Sequence, residues 1–380
     1  MKVLYLTGDY LYSKVHNNLI KNLLEKDPSL VVYVFSPVRS DNAHGLEDSY
    51  YNNERLKVVT PKVDIPISLY QYDFWAKQRS KVRQIEQYVP IREMDVIHAA
   101  TMFSEGGTAY RLNRKYGIPY LVSIRGADVM TYAQKMPHLW PIGNKILNHA
   151  AVVSCVTPSI RERLLSSWQF KSSRNSIEQS LIINNGIDAI WTENLNLTTK
   201  KIGKPIRILY IGRFDKNKNV ARLVEAVKLL KQKHNVSFTL IGGKGEEHEE
   251  VVRQVEANSS YMEYLGPIYD KERLMSIVRQ CDMFAMVSHS ETFGLVYAEC
   301  LSQGLPLVYT KGTGFDGIYP QGIVGYGVDS NSIASIVEGL ENVVVNYDEI
   351  KTNISALDFK KYSWPEIASL YISIYHEQIS

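Results

Sequence analysis

The fold is decided late in the chain, by the stretch VSHSETFGLVYAEC at residues 287–300. The apolar run Met283–Val287 predicts a buried strand, and a polar turn that ends in Gly294 follows it. Apolar residues then recur at helical spacing, and Gly304 and Pro306 predict the end of that helix. A strand, a glycine turn and a helix place free backbone amides at one point, which favours the binding of an anion.

Two carboxylates lie at this predicted anion site. Glu291 lies in the turn, and Glu299 lies about a turn and a half into the helix. Carboxylates repel phosphate but accept hydrogen bonds from hydroxyl groups. The pair therefore suits a ligand with phosphates in its middle and hydroxylated rings at both ends, which describes a nucleotide sugar. Two glutamates at this spacing also occur by chance in doubly wound proteins, so the interpretation depends on the rest of the chain.

Length and composition indicate a globular protein of two domains. The chain has 380 residues, of which 45% are hydrophobic and 22% charged, and its net charge is +3. These values favour two cores and give no indication of nucleic-acid binding. Cys155, Cys281 and Cys300 lie in apolar contexts without metal-ligand spacing, which predicts reduced, buried thiols of a cytosolic protein. Neither a signal peptide nor a membrane-spanning run is predicted.

The first half alternates strand-like and helix-like segments, a pattern typical of a parallel sheet covered on both faces. Strands are predicted at Val3–Thr7, Val31–Phe35, Leu56–Thr60, Val96–Ala99, Tyr120–Ile124, Ala151–Val156 and Leu181–Ile183. Polar, glycine-bearing loops follow three of these strands, at residues 7–10, 125–128 and 184–188. Ligands bind at such loops in doubly wound sheets, although each loop is also explained as an ordinary turn.

Residues 70–83 begin with aromatic side chains and continue with basic ones. This order is compatible with a helix that lies on a membrane surface. A simpler interpretation is a solvated helix that an aromatic residue anchors to the core.

The polar residues 191–205 show no periodicity and predict a linker, after which a second alternation begins. The predicted strand Ile206–Ile211 leads into a turn that carries Arg213 and Lys218. Arginine offers a fork of donors and lysine a point charge, so the two cations suit a diphosphate. An amphipathic helix is predicted next, with apolar residues at Val220, Leu223, Val224, Val227 and Leu230.

Further strands of the second half are predicted at Val236–Ile241, Met262–Leu265 and Leu307–Tyr309. The loops after the first two contain Gly243 and Pro267. Residues 312–317, GTGFDG, match the dinucleotide-binding fingerprint. That fingerprint requires a helix to begin at its glycines, whereas the following IYPQG breaks a helix. We therefore reject a dinucleotide-dependent dehydrogenase.

Taken together, these motifs resemble those of the retaining GT-B glycosyltransferases of family 4. The similarity rests on E-x7-E at Glu291 and Glu299, G-R-x4-K at residues 212–218, N-G-I-D at residues 185–188, and a closing helix after residues 362–364. It is specific over the second half and weaker over the first.

The resemblance implies an α/β protein of GT-B fold, with two Rossmann-like, doubly wound domains that face each other across a cleft. The expected parts are an acceptor-side domain at residues 1–195, a nucleotide-sugar-binding domain at 206–360, and a C-terminal helix at 363–380 that packs back on the first domain. The implied reaction moves a sugar from a nucleotide-diphosphate sugar to a hydroxyl acceptor with retention of configuration. UDP- or GDP-sugars are the expected donors, and no tightly bound cofactor is expected.

Roles for individual residues follow from the same resemblance. Arg213, Lys218 and the amides at the start of the helix are expected to stabilise the leaving diphosphate. Glu299 is expected to accept from the ribose hydroxyls, and Glu291 to lie near the transferred sugar. Further donor contacts are expected at Phe293, Gly294, Leu295, Val296, Gly243 and Pro267. On the acceptor side, Gly8 is an expected binding residue, and Arg125 and Asp128 are expected catalytic residues. No D-x-D pair occurs in the chain, so no metal is expected.

One position departs from the family pattern. The family has a histidine in an H-G-x-D loop, where this chain has Arg125 followed by Gly126, Ala127 and Asp128. Arginine only donates hydrogen bonds, so this loop leaves the histidine's role unfilled. Two alternatives stay open: a nucleotide-sugar epimerase or hydrolase of GT-B fold, and a sugar-nucleotide-binding protein without catalysis.

The expected setting of the transferase is synthesis of bacterial surface polysaccharide or glycoconjugates. Its acceptor would then be a glycan or a lipid-linked hydroxyl compound, and nucleic acid is not an expected partner. The expected location is the cytoplasm, at the inner face of the membrane, with residues 70–83 as the candidate contact. The sequence makes no prediction about the oligomeric state.

Overall fold

The computed structural model describes residues 1–39 and 53–378, and internal contacts divide the chain into two compact units. Unit 1 comprises residues 1–156, 160–186 and 364–380, and unit 2 comprises residues 157–159 and 187–363. Each unit contains one parallel sheet, and within the described residues helices connect most of its consecutive strands. The predicted fold class, two Rossmann-like α/β domains, is thereby confirmed.

Up to residue 186 the described chain contains seven strands and seven α-helices. The strands are β1 (Lys2–Leu6), β2 (Val31–Phe35), β3 (Leu56–Val59), β4 (Val96–Ala99), β5 (Tyr120–Ile124), β6 (Val152–Cys155) and β7 (Leu181–Ile182). The helices are α1 (Lys14–Lys26), α2 (Ile67–Tyr72), α3 (Phe74–Tyr88), α4 (Gly106–Tyr116), α5 (Trp140–His149), α6 (Pro158–Leu165) and α7 (Arg174–Glu178). The sheet order is β3-β2-β1-β4-β5-β6-β7. Every residue of β4, β5 and β6 is buried, as expected for a parallel sheet covered on both faces.

After residue 186 the described chain adds six strands and eight α-helices. The strands are β8 (Ile206–Gly212), β9 (Val236–Gly242), β10 (Met262–Tyr264), β11 (Met283–Ala285), β12 (Leu307–Thr310) and β13 (Gly325–Val328). The helices are α8 (Ala189–Glu193), α9 (Val220–Lys231), α10 (His248–Glu256), α11 (Lys271–Gln280), α12 (Leu295–Ser302), α13 (Ile333–Val345), α14 (Tyr347–Ser355) and α15 (Trp364–Ser373). The sheet order is β10-β9-β8-β11-β12-β13, and all its pairs are parallel.

The strand β13 is absent from the sequence prediction. Its four residues, GYGV, include two glycines and lack the run of β-branched or aromatic side chains that marks a strand. The backbone of Gly325 has a φ of 143°, and a Cβ there would lie 1.8 Å from the carbonyl oxygen of Leu307. The glycine thus permits close pairing with β12, a tertiary requirement that periodicity does not reveal.

The boundary between the units falls earlier than the predicted residue 195. Asp188 begins α8 by accepting a hydrogen bond from the amide of Ile190, and Trp191 on that helix is 2% exposed. Further along, the amide of Asn196 donates to the carbonyl of Ser302 at 3.1 Å. These contacts make residues 187–196 part of unit 2, although their polar composition resembles a linker.

The C-terminal helix α15 belongs to unit 1. Its residues Trp364, Ile367 and Tyr371 join the core cluster that contains Leu19 and Leu23 of α1. Leu370 of the same helix is 46% exposed. It lies about 100° around the helix from Tyr371, at the edge of the apolar stripe.

Residues 70–83 form the end of one helix and most of another. Asp73 separates α2 from α3 and begins α3 by accepting a hydrogen bond from the amide of Ala76 at 2.9 Å. Tyr70 is buried, as the anchored-helix interpretation expects, whereas Tyr72 is 86% exposed and Trp75 is 40% exposed.

Candidate active site

The candidate donor site lies at the carboxyl edge of the sheet in unit 2. The first strand of this sheet, β8, lies near its centre; β9 and β10 follow on one side and β11, β12 and β13 on the other, so the strand order reverses between β8 and β11. In open parallel sheets, ligands bind in the crevice outside such a switch point. The loop after β8 carries Arg213 and Lys218, and the loop after β11 carries Glu291. Topology therefore brings the predicted cations and the first predicted carboxylate to one place.

Lys218 and Glu291 form an ion pair at this switch point. The Lys218 ammonium donates to Oε1 of Glu291, and the two side chains are 22% and 13% exposed. The ammonium has three donors and the carboxylate uses one of them. The pair therefore offers a ligand a positioned cation and, beside it, an acceptor for hydroxyl groups.

Hydrogen bonds fix these two loops to each other. The amide of His289 donates to the carbonyl of Asn217 at 2.7 Å, and the side chain of Asn217 donates to the carbonyl of Ser290 at 2.9 Å. Asn219, whose φ is 57°, donates to the carbonyl of Val287 at 3.1 Å. A site held by such contacts keeps its geometry before the ligand arrives, which is what charge stabilisation in a transition state requires.

Arg213 lies at the start of the loop after β8, where its side chain is largely exposed. Its side chain is 69% exposed, and its Nε lies 3.4 Å from Oδ2 of Asp215. The other oxygen of Asp215 accepts from the amide of Lys218 at 3.1 Å. Asp215 thus shapes the loop and leaves most of the guanidinium fork open to a phosphate.

The loop at residues 312–317, whose sequence matches the dinucleotide-binding fingerprint, holds the backbone of Glu291 by hydrogen bonds. The hydroxyl of Thr313 accepts from the amide of Glu291 at 2.9 Å and lies 2.9 Å from the carbonyl oxygen of the same residue. The amide of Gly314 donates to that carbonyl at 3.1 Å. A Cβ on Gly314 would lie 2.6 Å from the Cβ of Glu291, so only glycine permits this approach.

The helix α12 presents backbone amides beside this pair. Gly294 precedes the helix with a φ of 78°, and a Cβ there would lie 2.5 Å from the ring of Tyr297. The amide of Tyr297 bonds back to the carbonyl of Gly294, whereas those of Leu295 and Val296 have no acceptor within the described residues. Free amides and the helix dipole favour an anion at this point.

The other predicted donor contacts differ in what they expose. The Phe293 side chain is 1% exposed, so only its backbone faces a ligand. A Cβ on Gly243 would lie 2.4 Å from the hydroxyl oxygen of Tyr264, and the Gly243 amide donates to the carbonyl of Gly212 at 3.0 Å. Pro267 lies exposed in the loop after β10. Gly243 therefore packs the loops together, and Pro267 is free to contact a ligand.

Glu299 lies on α12 in a separate electrostatic setting. Burial is the main reason that its pKa is raised to about 7, Lys271 opposes the shift, and Asp188 adds to it. Lys271 is itself engaged in an ion pair with Asp188. The Glu299 carboxylate is partly accessible and has no hydrogen-bonding partner within the described residues. It is therefore an acceptor that a ligand hydroxyl can satisfy.

In unit 1 the strand order reverses between β1 and β4, and Gly8 lies in the loop after β1. A Cβ on Gly8 would lie 3.5 Å from Oε1 of Glu105. The buried Glu105 accepts from Lys81 at 2.7 Å and from the hydroxyl of Thr101. Burial alone would raise the pKa of Glu105, but Lys81 outweighs it and holds the pKa below its ordinary value. An ionised pair thus lies beneath Gly8.

Asp9 presents a second carboxylate at this edge. Its Oδ1 accepts from the hydroxyl of Thr7 at 2.7 Å and lies 3.1 Å from Nε2 of His16, and Nδ1 of His16 lies 2.6 Å from the hydroxyl of Tyr5. Burial acts to raise the pKa of Asp9, but the bonds from His16 and Thr7 lower it to about 2. Burial lowers the pKa of His16. Asp9 is therefore a charged acceptor oriented by a neutral histidine.

Arg125 and Asp128 lie in one loop but face different surroundings. Arg125 donates from Nε to the carbonyl of Ala100 at 2.8 Å and from Nη1 to Oδ1 of Asn185 at 3.1 Å. Asp128 is 1% exposed and accepts from the amides of Arg125, Met102 and Phe103 at 2.9–3.0 Å. Burial raises the pKa of Asp128 to about 6, against the effect of these amides. Asp128 therefore organises the loops after β4 and β5 from beneath.

Comparison with known proteins gives two family matches. Residues 194–358 match the model for glycosyl transferases group 1, and residues 54–176 match the model for a glycosyl transferase 4-like domain. The two matches together cover about three quarters of the chain. The chain belongs to the GT4-type glycosyltransferases of GT-B fold.

Individual relatives are distant but cover most of this glycosyltransferase. An uncharacterised glycosyltransferase of Methanocaldococcus jannaschii is 24% identical over 289 residues, which are 75% of this chain and 76% of the relative. The putative teichuronic acid biosynthesis glycosyltransferase TuaC of Bacillus subtilis is 22% identical over 341 residues, 84% of this chain and 83% of its own. Among solved structures, Anabaena HepE in complex with UDP and glucose aligns with a TM-score of 0.67 at 17% identity over 98% of both chains.

Several residues that build the site of this glycosyltransferase are missing from the sequence prediction. Thr313 and Gly314 belong to the fingerprint-like loop at residues 312–317, whose pattern does not predict that they support Glu291. Lys81 and Glu105 are 24 residues apart and fall in no motif. Asp188 belongs to the N-G-I-D motif, but that motif does not predict its pairing with Lys271.

The described residues contain neither a cluster suited to a metal ion nor a helix suited to crossing a membrane. Across residues 1–39 and 53–378, no group of three or more His, Cys, Asp or Glu side chains is arranged to hold a metal ion. Within the same ranges, none of the helices combines the length and apolar character that crossing a bilayer requires. All three cysteines are buried, as predicted.

Proposed function

We propose that this glycosyltransferase moves a sugar from a nucleotide-diphosphate sugar to a hydroxyl acceptor, with retention of the anomeric configuration. The observation that carries the proposal is the Lys218–Glu291 pair at the switch point of unit 2. It combines a cation for a phosphate with an acceptor for a hydroxyl, and free helix amides lie in the same loop system. Retention rests on the resemblance to family 4.

The chemistry of the leaving group explains why cations are needed here. When the glycosidic bond to the diphosphate breaks, negative charge builds on the phosphate oxygen. Arg213, Lys218 and the amides of Leu295 and Val296 are donors that can stabilise this charge, which is the largest single contribution in many enzymes. Without a D-x-D pair, these donors are proposed to serve in place of a metal ion.

Glu299 and Glu291 are proposed to bind different hydroxyl groups of the donor. Glu299 has no hydrogen-bonding partner among residues 1–39 and 53–378 and is proposed to accept from the ribose. Glu291 shares its carboxylate with Lys218 and is proposed to lie nearer the transferred sugar. Uridine or guanosine is the proposed base, and the binding of UDP by HepE supports the first of these.

On the acceptor side, Gly8, Asp9 and Arg125 are proposed to contact the hydroxyl substrate. Asp9 offers a charged acceptor at the carboxyl edge of the sheet, and Arg125 replaces the histidine of the family with a donor. Asp128 is proposed as a positioning residue, since its carboxylate is occupied by three backbone amides.

The proposed setting is synthesis of surface polysaccharide or glycoconjugates at the cytoplasmic face of the membrane. The similarity to the putative teichuronic acid biosynthesis glycosyltransferase of Bacillus subtilis supports this setting. Residues 70–83 are the proposed membrane contact, because Tyr72 and Trp75 leave apolar surface exposed.

The proposal is tested first by ligand-induced stabilisation and then by turnover. UDP and GDP are each added to the full chain, and a bound nucleotide raises the melting temperature by mass action. The stabilising nucleotide is then supplied as its sugar donors, with and without a panel of hydroxyl acceptors. Transfer with a retained anomer in the product, read by NMR, supports the proposal. Release of the nucleoside diphosphate at the same rate with and without every acceptor indicates a hydrolase. Stabilisation by the nucleotide without turnover indicates a binding protein.

A further inference from the structure

A groove of about 480 Å³ lies between α3 and α4 of unit 1. Its apolar lining consists of Trp75, Val82, Tyr110 and Ile142. The residues from α3 recur at helical spacing and so line one side of the groove, and those from α4 line the other. Its α3 side falls mostly within residues 70–83, the membrane contact proposed above, whereas neither the family matches nor the transfer reaction assigns a role to its α4 side.

Two cations at the groove are neutralised within the protein. Arg83 donates to Asp64 from Nη2 at 2.6 Å and from Nε at 2.8 Å. Lys115 donates to Glu86 at 2.6 Å. These pairs occupy the carboxylates Asp64 and Glu86, so neither is left over for a further cation.

Three arginines at the groove have no such partner. Arg79, Arg111 and Arg114 line it, and none forms a salt bridge to a carboxylate within residues 1–39 and 53–378. The guanidinium of Arg111 lies 5.3 Å from the centre of the Trp75 ring. Burial first, and then the like charge of Arg79, lower the pKa of Arg111. The like charges of the cluster therefore repel each other, and an anion bound in the groove would stabilise them.

Apolar surface continues from the groove along the chain towards α2. Trp75 is 40% exposed, and Tyr72, Leu69 and Ile67 of the preceding helix are 86%, 46% and 40% exposed. An aromatic and aliphatic rim beside unpaired arginines is the composition of surfaces that lie in a bilayer interface. Polynucleotides and acidic polypeptides match the charge of the groove but leave this apolar rim uncovered.

We propose that the α3/α4 groove docks the protein on an anionic phospholipid bilayer. The arginine cluster binds the phosphate of a lipid headgroup, and Trp75 with the exposed residues of α2 enters the interface. This narrows the membrane contact proposed for residues 70–83 to named side chains and adds α4 to it. Arginine suits the task because its fork binds two phosphate oxygens at once and its stem packs on apolar surface.

The test is sedimentation of the full chain with vesicles of phosphatidylglycerol mixed into phosphatidylcholine, against phosphatidylcholine alone. The variant Arg79→Glu/Arg114→Glu reverses two exposed side chains without breaking an ion pair of the described residues. Lys135→Glu/Lys171→Glu changes the net charge equally at exposed lysines elsewhere in unit 1 and is the matched control. Since each basic residue near an anionic surface changes binding about five-fold, the groove variant is expected to bind at least ten-fold more weakly.

Insertion is read separately, from quenching of tryptophan fluorescence by phosphatidylglycerol with brominated acyl chains. Quenching is expected in the wild type and is expected to fall in Trp75→Phe, whose binding stays within a few-fold. Wild-type protein that ignores the anionic lipid, or a groove variant that sediments like its control, would overturn the proposal. Tighter binding to soluble polyglutamate than to vesicles would overturn it as well. The assay contains neither donor nor acceptor, so its result is independent of sugar transfer.

Discussion

Glu299 gives the sharpest prediction, because binding and stability are expected to respond in opposite directions. The carboxylate is half-buried and finds no hydrogen-bonding partner in the part of the chain that the structure describes, and burial raises its pKa to about 7. Ribose hydroxyls that donate to it favour the charged form. The proposed donor therefore selects the ionised state, and binding releases a proton in the fraction of molecules that are protonated.

The size of the effect follows from that pKa. At pH 6 roughly one Glu299 in eleven is ionised, and at pH 8 roughly ten in eleven are, for a pKa of about 7. When only the ionised form binds well, the apparent dissociation constant scales inversely with its population. The affinity for the donor nucleotide is thus expected to rise roughly ten-fold between pH 6 and pH 8.

Stability is expected to change with the opposite sign. The folded protein holds the Glu299 proton to higher pH than the unfolded chain does, whose pKa is near the ordinary value of 4.5. The folded state therefore binds more protons between pH 4.5 and 7, and the stability contribution falls as pH rises through this window. Glu299→Gln removes the charge and is expected to raise the melting temperature at pH 8 while weakening nucleotide binding.

Isothermal titration of the nucleotide at pH 6, 7 and 8 in buffers of different ionisation enthalpy measures both affinity and proton release. The phosphate of the nucleotide also titrates near pH 6, so the wild type is compared with Glu299→Gln at each pH. The variant should lose most of the pH dependence that is specific to the protein. A variant that melts lower at pH 8 and binds as the wild type does would show that Glu299 is a structural residue.

Three further predictions concern the diphosphate site. Arg213→Ala should lower turnover a hundredfold or more without changing the melting temperature, because the side chain is exposed and acts on the leaving group; Lys216→Ala in the same loop is the control, and equal loss in both would refute the assignment. Thr313→Val should lower kcat and leave KM little changed, because it releases the backbone of Glu291, whereas Thr313→Ser keeps the hydroxyl and should keep kcat near the wild-type value. An equal fall of kcat in both variants would indicate that Thr313 acts through packing alone. The rate of sugar transfer should be unchanged in excess chelator. A chelator that abolished transfer, with magnesium restoring it, would contradict the proposed metal independence.

Much of the donor site could be predicted because strand order follows from chain order in doubly wound folds. Apolar runs gave β8 and β11, and the polar turns after them carried Lys218 and Glu291. Parallel strands end at one edge, so residues 73 positions apart along the chain can meet there, as Lys218 and Glu291 do in their ion pair. The five apolar positions of α9 were equally predictable from helical spacing, and all are buried.

Contacts that join unrelated positions were beyond prediction. Lys81 and Glu105 lie on different elements, and neither position carries a pattern that distinguishes a buried ion pair from a solvated surface. Asp128 illustrates the same limit within a motif. The sequence placed it correctly after β5, but its carboxylate bonds to Met102 and Phe103 of another loop. Tertiary packing decides whether a motif carboxylate faces a ligand or holds the backbone behind it.

The glycine loop at residues 312–317 shows which structural property a glycine-rich motif predicts. Glycines in the dinucleotide fingerprint allow a backbone to approach pyrophosphate closely, and the helix that follows supplies the amides that bind it. Here the chain forms turns after the glycines, so those amides are missing, but the close approach remains. At Gly314 this close approach brings the backbone against Glu291, which lies in the loop after the neighbouring strand β11. The spacing of the glycines therefore predicts where two backbones meet, and only the adjoining helix predicts which ligand lies between them.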